Sequence, residues 1–318
     1  MNKTNRTAPC DLPPDVKSVE AWMGTELAAY LHRKHTGGAS GAKGTRYEDV
    51  FATIQIAEAA QLKGAGCHAV MLEAQVALSF LDDLKVTQDD SPRYRYFQLK
   101  NTGRITWSSG PGSLTDDCAQ QLKLCHFMGE TDIEFVIVTS DRRAMARLRD
   151  TMPADLRASV RVQWFPWESS IPRLCAKWGS QLSALAWLSK HATPSFHDLG
   201  EVLGILCGAW MRFGTAASAF DIITVARSSS PTLIRPLASD DEAALMLRND
   251  FKAALARVEN FSYSVVKGFF SWEVRHPNGS TDTGVLSHDC FSDQFRAFQS
   301  RVVKLAPTSF ESMEDQLL

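Results

Sequence analysis

The sequence predicts an α/β domain followed by a mainly α-helical half that carries a β-hairpin. Three features lead to that reading. Arg93–Asn101 alternates and is rich in aromatics, Asp132–Thr139 is an apolar run of strand length, and after Glu168 the spacing of apolar residues becomes helical. A period of two marks a strand, and an unbroken short apolar run marks a strand buried on both faces. Helices and strands that alternate along the chain indicate an α/β sheet.

In chain order, residues 1–15 read as a polar, proline-bearing arm, and Val16–His35 as a helix with Val19, Met23, Leu27, Tyr30 and Leu31 on one side. Thr36–Gly44 is a glycine-rich connection. Thr45 is a good N-cap, and with Glu48 three residues on it makes a capping-box pattern for a helix to about Leu62. Ala69–Gln75, Leu78–Val86 and Arg93–Asn101 read as strands, the last two joined as a hairpin at Asp89–Pro92. Helices are expected over Leu114–Phe127 and Asp141–Asp150, and strands over Asp132–Thr139 and Val160–Trp167. Beyond Glu168, Ile171–Lys190, Phe196–Arg212, Ala216–Arg227 and Asp240–Val258 read as helices. A strand pair, Tyr263–His276 and Thr283–His288, turns at Pro277–Ser280 before a closing helix over Phe291–Leu305. The expected organisation is an arm and helix over 1–36, an α/β domain over 37–170 and a mainly helical domain over 171–318.

The 318 residues, 44% of them hydrophobic, suffice for two cores. No window approaches about 18 uninterrupted apolar residues, so no membrane helix is expected. Met1–Asp15 lacks the apolar centre of a signal peptide. The seven cysteines (Cys10, Cys67, Cys118, Cys125, Cys175, Cys207 and Cys290) are scattered and form no C-x-x-C pair, which points to reduced thiols in a cytoplasm. A net charge of −2 neither predicts nor excludes nucleic-acid binding; a nucleic-acid enzyme of this charge needs a local basic patch.

One constellation carries chemistry. On the strand Arg93–Asn101, Gln98 and Lys100 share a face, with Leu99 turned into the core. Asp83 lies on the strand expected to pair with this one, so hairpin pairing brings its carboxylate beside Gln98. Hydrolysis of a phosphodiester needs an activated water and charge stabilisation on the phosphoryl oxygens. Mg²⁺ takes hard oxygen ligands and keeps several waters. Asp83, the amide oxygen of Gln98 and the backbone carbonyl of Leu99 make a sparse site of that kind, with Mn²⁺ able to replace Mg²⁺. Lys100 orients the water or neutralises charge in the transition state, and Glu48 supplies an accessory carboxylate to the metal, directly or through water. Asp82 is the rival of Asp83 as metal ligand.

The Asp, then Gln-x-Lys, pattern resembles the restriction-endonuclease-like superfamily. More closely, Gly-x-x-Tyr-Glu, then Leu81-Asp-Asp-Leu84, then Phe97-Gln-Leu-Lys-Asn-Thr102 resembles the double-stranded DNA endonuclease domain of bacterial anti-phage effectors, those of cyclic-oligonucleotide (CBASS) and Lamassu defence. The resemblance spans residues 37–170. It implies a restriction-endonuclease-like fold for that domain, double-stranded DNA as substrate, and Asp83, Gln98 and Lys100 as the catalytic set with Glu48 accessory. It also implies an effector that oligomerises when active and is held by partners, an SMC-like ATPase and an accessory subunit, with no role for a membrane. A cyclic-oligonucleotide-gated nuclease and a catalytically silent DNA-binding or assembly subunit are the alternatives.

Other features have plainer readings. Gln and Lys on a strand ordinarily face solvent, and Glu48 serves equally as a cap. Gly-Ala-Lys-Gly-Thr45 lacks phosphate-loop spacing. Arg142, Arg143, Arg147 and Arg149 either track a DNA backbone or form a solvated face. His276, His288 and Cys290 lack a fourth zinc ligand. Trp164, Trp167, Trp178 and Trp187 read as packing residues. In the second half, Leu203, Leu206, Trp210 and Phe213 form an apolar helix face that either fills the domain's own core or offers a surface for self-association or partner binding.

Overall fold

A computed structural model of the chain describes residues 16–38, 42–64, 66–89, 92–178 and 182–317. The arm over 1–15, the centre of the glycine-rich connection and the tip of the hairpin turn at Asp90-Ser91 lie outside the described residues. The chain divides into two compact units, the first holding described residues up to Glu48 and Glu73–Phe165, the second Asp49–Leu72 and Pro166 onward. No helix among the described residues is long and apolar enough to cross a membrane.

The first unit opens with α1 (Val16–Met23) and α2 (Thr25–Gly38). The single helix expected over Val16–His35 is broken at Gly24, whose φ of +85° no helical residue can hold. The expected apolar face forms nonetheless: Val19 and Leu31 are buried with Phe80 and Leu124, and Met23, Leu27 and Tyr30 pack on them. α3 (Ala42–Gly64) begins three residues before Thr45, so Thr45 lies within the helix rather than at the expected N-cap position.

β1 (Val70–Ala74) is followed by a loop, and β2 (Leu84–Gln88) is shorter than the strand expected over Leu78–Val86. The apolar stretch Leu78–Leu81 looks like a strand because Phe80 and Leu81 are fully buried. It is a loop because Gln75 and Leu78 adopt left-handed φ angles of 52° and 58°. β3 (Arg93–Lys100) pairs antiparallel with β2, Leu84 opposite Phe97 and Gln88 opposite Arg93. α4 (Leu114–Phe127) starts at the cap Ser113, whose side chain accepts from Asp116 N. β4 (Asp132–Thr139) runs parallel to β3, and Phe135–Thr139 pairs parallel with β5 (Val160–Trp164). Between them lies α5 (Arg142–Asp150), capped by Asp141. The strand order β5-β4-β3-β2 makes a mixed sheet in an α/β unit. Tyr96, Phe135, Ile137, Val160 and Val162 fill its core with Cys118, Leu148 and Leu156. Three of the arginines on α5 have structural partners: Arg147 donates to Gly103 O at 2.8 Å, Arg149 to Val162 O at 2.9 Å, and Arg142 lies 3.9 Å over the Trp164 ring. All four are exposed, and Arg143 is the one without such a partner among the described residues.

The second unit is mainly helical: α6 (Ile171–Trp178), α7 (Ser183–Leu188), α8 (Phe196–Trp210), a short β6 (Ala216–Ser218), α9 (Ala219–Ser229), α10 (Asp240–Leu245) and α11 (Asn249–Leu255). A three-stranded antiparallel sheet follows, β7 (Phe261–Val266), β8 (Phe269–Arg275) and β9 (Thr281–Asp289), then α12 (Asp293–Leu305) and α13 (Glu314–Leu317). The strand expected over Tyr263–His276 is therefore two strands, turning at Lys267-Gly268. The turn expected at Pro277–Ser280 joins β8 to β9. The face formed by Leu203, Leu206 and Trp210 is not a free surface: all three are buried, and Trp210 Nε1 donates to Asp49 Oδ1 at 3.1 Å. Apolar residues at this spacing are claimed by the unit's own core. A second core of Phe251, Phe270, Phe295, Phe298 and Val302 lies under the three-stranded sheet.

The Lys267-Gly268 turn has positive φ at both residues, 54° and 79°, the signature of a two-residue hairpin of the type that matches strand twist. Lys267 Nζ donates to the carbonyls of Ala186, Ser189 and His191. A Cβ at Gly268 would come within 2.3 Å of Pro236 Cγ, whereas one at Gly279, also at positive φ, would meet nothing within 4 Å. Gly268→Ala therefore destabilises the fold by about 2–4 kcal/mol, the left-handed penalty plus overpacking. Gly279→Ala loses only the first, about 1–2 kcal/mol. Chemical denaturation of both variants checks the ranking, and equal losses would refute the steric account.

Candidate active site

The first unit gathers polar side chains around Gln98, the central residue of the expected trio. The gathering depends on the loop between β1 and β2. Gln121 on α4 fixes that loop: its Oε1 accepts from Ser79 Oγ at 2.9 Å and from the backbone N–H of Phe80 at 2.7 Å and Leu81 at 3.4 Å. Gln121 is fully buried, so these bonds are not exchanged with water. The loop closes on itself through Val76 N to Asp82 O at 2.7 Å and Gln75 N to Asp83 O at 3.3 Å. Asp83 is thereby held one residue ahead of β2, at the position that would face Gln98 if the ladder continued.

Asp83 meets the expected partners. Its Oδ2 accepts from Gln98 Nε2 and from Leu99 N at 2.5 Å, and lies 3.9 Å from Lys100 Nζ. Asp83 and Gln98 are buried, while the Lys100 side chain is 42% exposed. An extended residue turns its N–H and carbonyl to the same strand edge, so the Leu99 carbonyl also opens toward Asp83. Glu48 stands one residue further off. Its Oε2 accepts from Gln75 Nε2 at 2.9 Å, and Gln75 in turn touches Asp83 through its backbone. The side-chain amide oxygen of Gln75, Oε1, is buried and has no hydrogen-bond partner among the described residues.

On the other side of Gln98 the structure adds residues that the sequence did not reveal. Lys34 on α2 reaches in, with Nζ 3.4 Å from Gln98 Oε1, 2.7 Å from Asp117 Oδ2, 3.8 Å from Asp82 Oδ1, and bonded to Phe80 O. Tyr30 donates from its hydroxyl to Asp117 Oδ1 at 2.9 Å. One hydrogen-bonded chain thus runs from Glu48 through Gln75, Asp83, Gln98 and Lys34 to Asp117 and Tyr30. Asp117 and Gln121 sit four apart on α4 and are buried on one face with Cys118 and Leu124. That buried polar pair on an otherwise apolar helix face was the available signal.

The electrostatics follow from crowding. Burial, then the neighbouring Asp83 charge, raises the pKa of Asp82, while Lys34 and Lys100 oppose the rise. Burial and Asp117 push the Tyr30 hydroxyl well above its ordinary value, so Tyr30 stays a donor. Ionised Asp82 thus costs stability at neutral pH. A carboxyl with a raised folded-state pKa costs nothing below its unfolded value, where it is protonated in both states, and the cost appears as pH climbs through the folded value. Asp82→Asn should therefore raise the melting temperature at pH 7, with the gain fading toward pH 4. Thermal melts in EDTA at both values test this, and a variant less stable than wild type at both would overturn it.

Two tests bear on a metal ion. No group of three or more His, Cys, Asp or Glu among the described residues is arranged to hold one. The available donors are nevertheless all hard oxygens: the Asp83 carboxylate, the Leu99 backbone carbonyl and the Gln75 side-chain oxygen, unpartnered among the described residues. This chemistry suits Mg²⁺ or Mn²⁺ rather than a soft metal. Gln98 turns its amide N–H toward Asp83 and its carbonyl toward Lys34, the arrangement that a carboxylate on one side and an ammonium on the other require. Its carbonyl would join Asp83 at an ion only after the amide turns over.

Beside the trio lies an open cavity of about 600 Å³. Arg33, Lys34, Lys100 and Arg104 stand on its wall with one acid, Asp117, which Lys34 and Tyr30 already engage. In a chain of net charge −2 this is a local basic patch of the kind an anionic substrate needs. Compared with known proteins, the chain matches no family model, no curated protein and no solved structure.

Proposed function

We propose that the chain is a Mg²⁺-dependent DNA endonuclease of restriction-endonuclease-like fold, the effector of a bacterial anti-phage defence complex. The observation that supports this best is the meeting of Asp83, Gln98 and Lys100 beside a cation-lined cavity. Asp83, the Leu99 carbonyl and, after its amide turns, Gln98 would hold the ion, with Mn²⁺ able to substitute; Glu48 supports the site through Gln75. When bound, the ion supplies Lewis acidity to a phosphoryl oxygen and lowers the pKa of a bound water. Lys100, half in solvent and close to Asp83, orients the attacking water and offsets charge on the transferring phosphoryl group. Arg33, Lys34 and Arg104 hold the flanking phosphates. Double-stranded DNA is the substrate, and activity is controlled by assembly with a second copy or by release from an SMC-like ATPase and an accessory subunit. Gating by a cyclic oligonucleotide is the alternative trigger.

A second reading is favoured by one feature. Every carboxylate at the site is already met by an N–H or ammonium donor, Lys34 above all. A catalytically silent DNA-binding or assembly module would keep that arrangement. Incubation of the purified chain with plasmid DNA in Mg²⁺ and in EDTA separates the two. Cleavage in Mg²⁺ alone supports the nuclease, and DNA binding without cleavage under any divalent ion or partner supports the silent module.

A further inference from the structure

The positive charge beside Lys100 is arranged around a cavity rather than along a ridge. Arg33 and Arg104 are exposed at its wall, and neither guanidinium has an acidic partner among the described residues. The rest of the lining is mixed: Tyr30, Ile105 and Leu114 give it apolar and aromatic surface beside the buried Gln98 and Asp117. Gly112 keeps this wall thin: at its φ of +77° a Cβ would press to 3.3 Å from the Tyr30 ring. The volume, about 600 Å³, lies in the range of sites that enclose a small molecule. A rigid duplex presents its phosphates on a convex surface and cannot enter such a space, whereas an unstacked nucleotide can. Apolar and aromatic surface beside exposed cations in one cavity matches the two halves of a nucleotide, a base that leaves water and a phosphate that needs countercharge.

We infer that this cavity takes one unpaired nucleotide of the substrate strand, so that the site acts on DNA carrying a flap, gap or frayed end in preference to closed duplex. The inference rests on the nuclease reading and narrows its substrate. Its base sits in the recess of Tyr30, Ile105 and Leu114, and its phosphate meets Arg33 and Arg104, which places the next phosphate along the strand at Lys100.

The test is equilibrium binding by fluorescence anisotropy with the full chain in EDTA, so that nothing is cut. The probes are a short duplex closed by hairpins at both ends, the same duplex with a single-stranded flap, and thymidine 5′-monophosphate as competitor. The flapped duplex should bind about tenfold more tightly than the closed one, the scale of one base leaving water for an apolar site. Arg104→Ser should remove most of that difference, and Leu114→Trp, which fills the recess, should remove it too. Arg104 is exposed, so its variant folds even if the Leu114 variant does not. Equal binding of the two duplexes, or a preference that survives Arg104→Ser, overturns the inference. If neither DNA binds but the mononucleotide does, in an Arg104-dependent way, the cavity assignment stands and the DNA reading falls. If no probe binds, both fall.

Discussion

Lys100→Ala removes Mg²⁺-dependent cleavage of plasmid DNA, by about 10²–10³-fold or more, and leaves the melting temperature almost unchanged. The loss is large because a cation placed where charge develops in a transition state contributes several kcal/mol there. The stability change is small because the Lys100 side chain is 42% exposed and the carboxylate within ion-pair distance of it among the described residues, Asp83, lies 3.9 Å away. Pairs of that kind contribute about 0–1 kcal/mol. Lys34 provides the contrast within the same site. Its ammonium is bonded to Asp117, whose side chain is only 8% exposed. Removing Lys34 would leave a buried carboxylate unpaired, which costs about 3–5 kcal/mol. Parallel cleavage assays and melts of the two alanine variants separate a catalytic lysine from a structural one. A Lys100→Ala chain that cuts at the wild-type rate would remove Lys100 from the mechanism.

The elements legible in the sequence are those whose signal is local. α4 and β4 have the bounds that their own periodicity dictates, and the antiparallel pairing of β2 with β3 follows from the two runs flanking Asp89–Pro92. The Gln98-x-Lys100 alternation was enough to put both residues on one strand face. What escaped depended on distance. Lys34 bonds to Asp117, 83 residues away, and to Gln98, 64 residues away, and no spacing rule connects such residues. The loop carrying Asp82 and Asp83 was misread as strand because burial of Phe80 and Leu81 gives the same apolar signal whether a ladder or a buried glutamine satisfies the backbone. The face of Leu203, Leu206 and Trp210 left two readings open, since a helix's apolar stripe does not say which partner covers it, and burial in the unit's own core decides between them. Gly24 was passed over because one glycine in a helical pattern is tolerated unless tertiary packing takes it to positive φ.

Asp83→Asn abolishes Mg²⁺-dependent cleavage and lowers stability, whereas Asp82→Asn is mild in activity and gains stability at neutral pH. The two adjacent carboxylates differ in what surrounds them. Asp83 Oδ2 receives two N–H donors, from Gln98 and Leu99, and Lys100 lies close by. An asparagine there must either turn its own N–H₂ toward those donors or reach them with one neutral oxygen. At a site this buried, the loss is about 1–3 kcal/mol for a donor left without its acceptor. A neutral amide is also a much poorer ligand for a hard dication, so the activity loss should exceed anything the stability change explains. Asp82 faces the ammonium of Lys34 at 3.8 Å and has its pKa raised by burial and by Asp83, so its charge is a liability in the fold. Calorimetric titration with Mn²⁺ gives a readout independent of turnover: wild type and Asp82→Asn bind the ion, and Asp83→Asn does not. The assays run well below each variant's melting temperature, so that unfolding does not pass for lost catalysis. If Asp82→Asn loses Mn²⁺ binding and Asp83→Asn retains it, the ligand is Asp82. The ion would then sit on the Lys34 side of Gln98, where the Gln98 carbonyl already points.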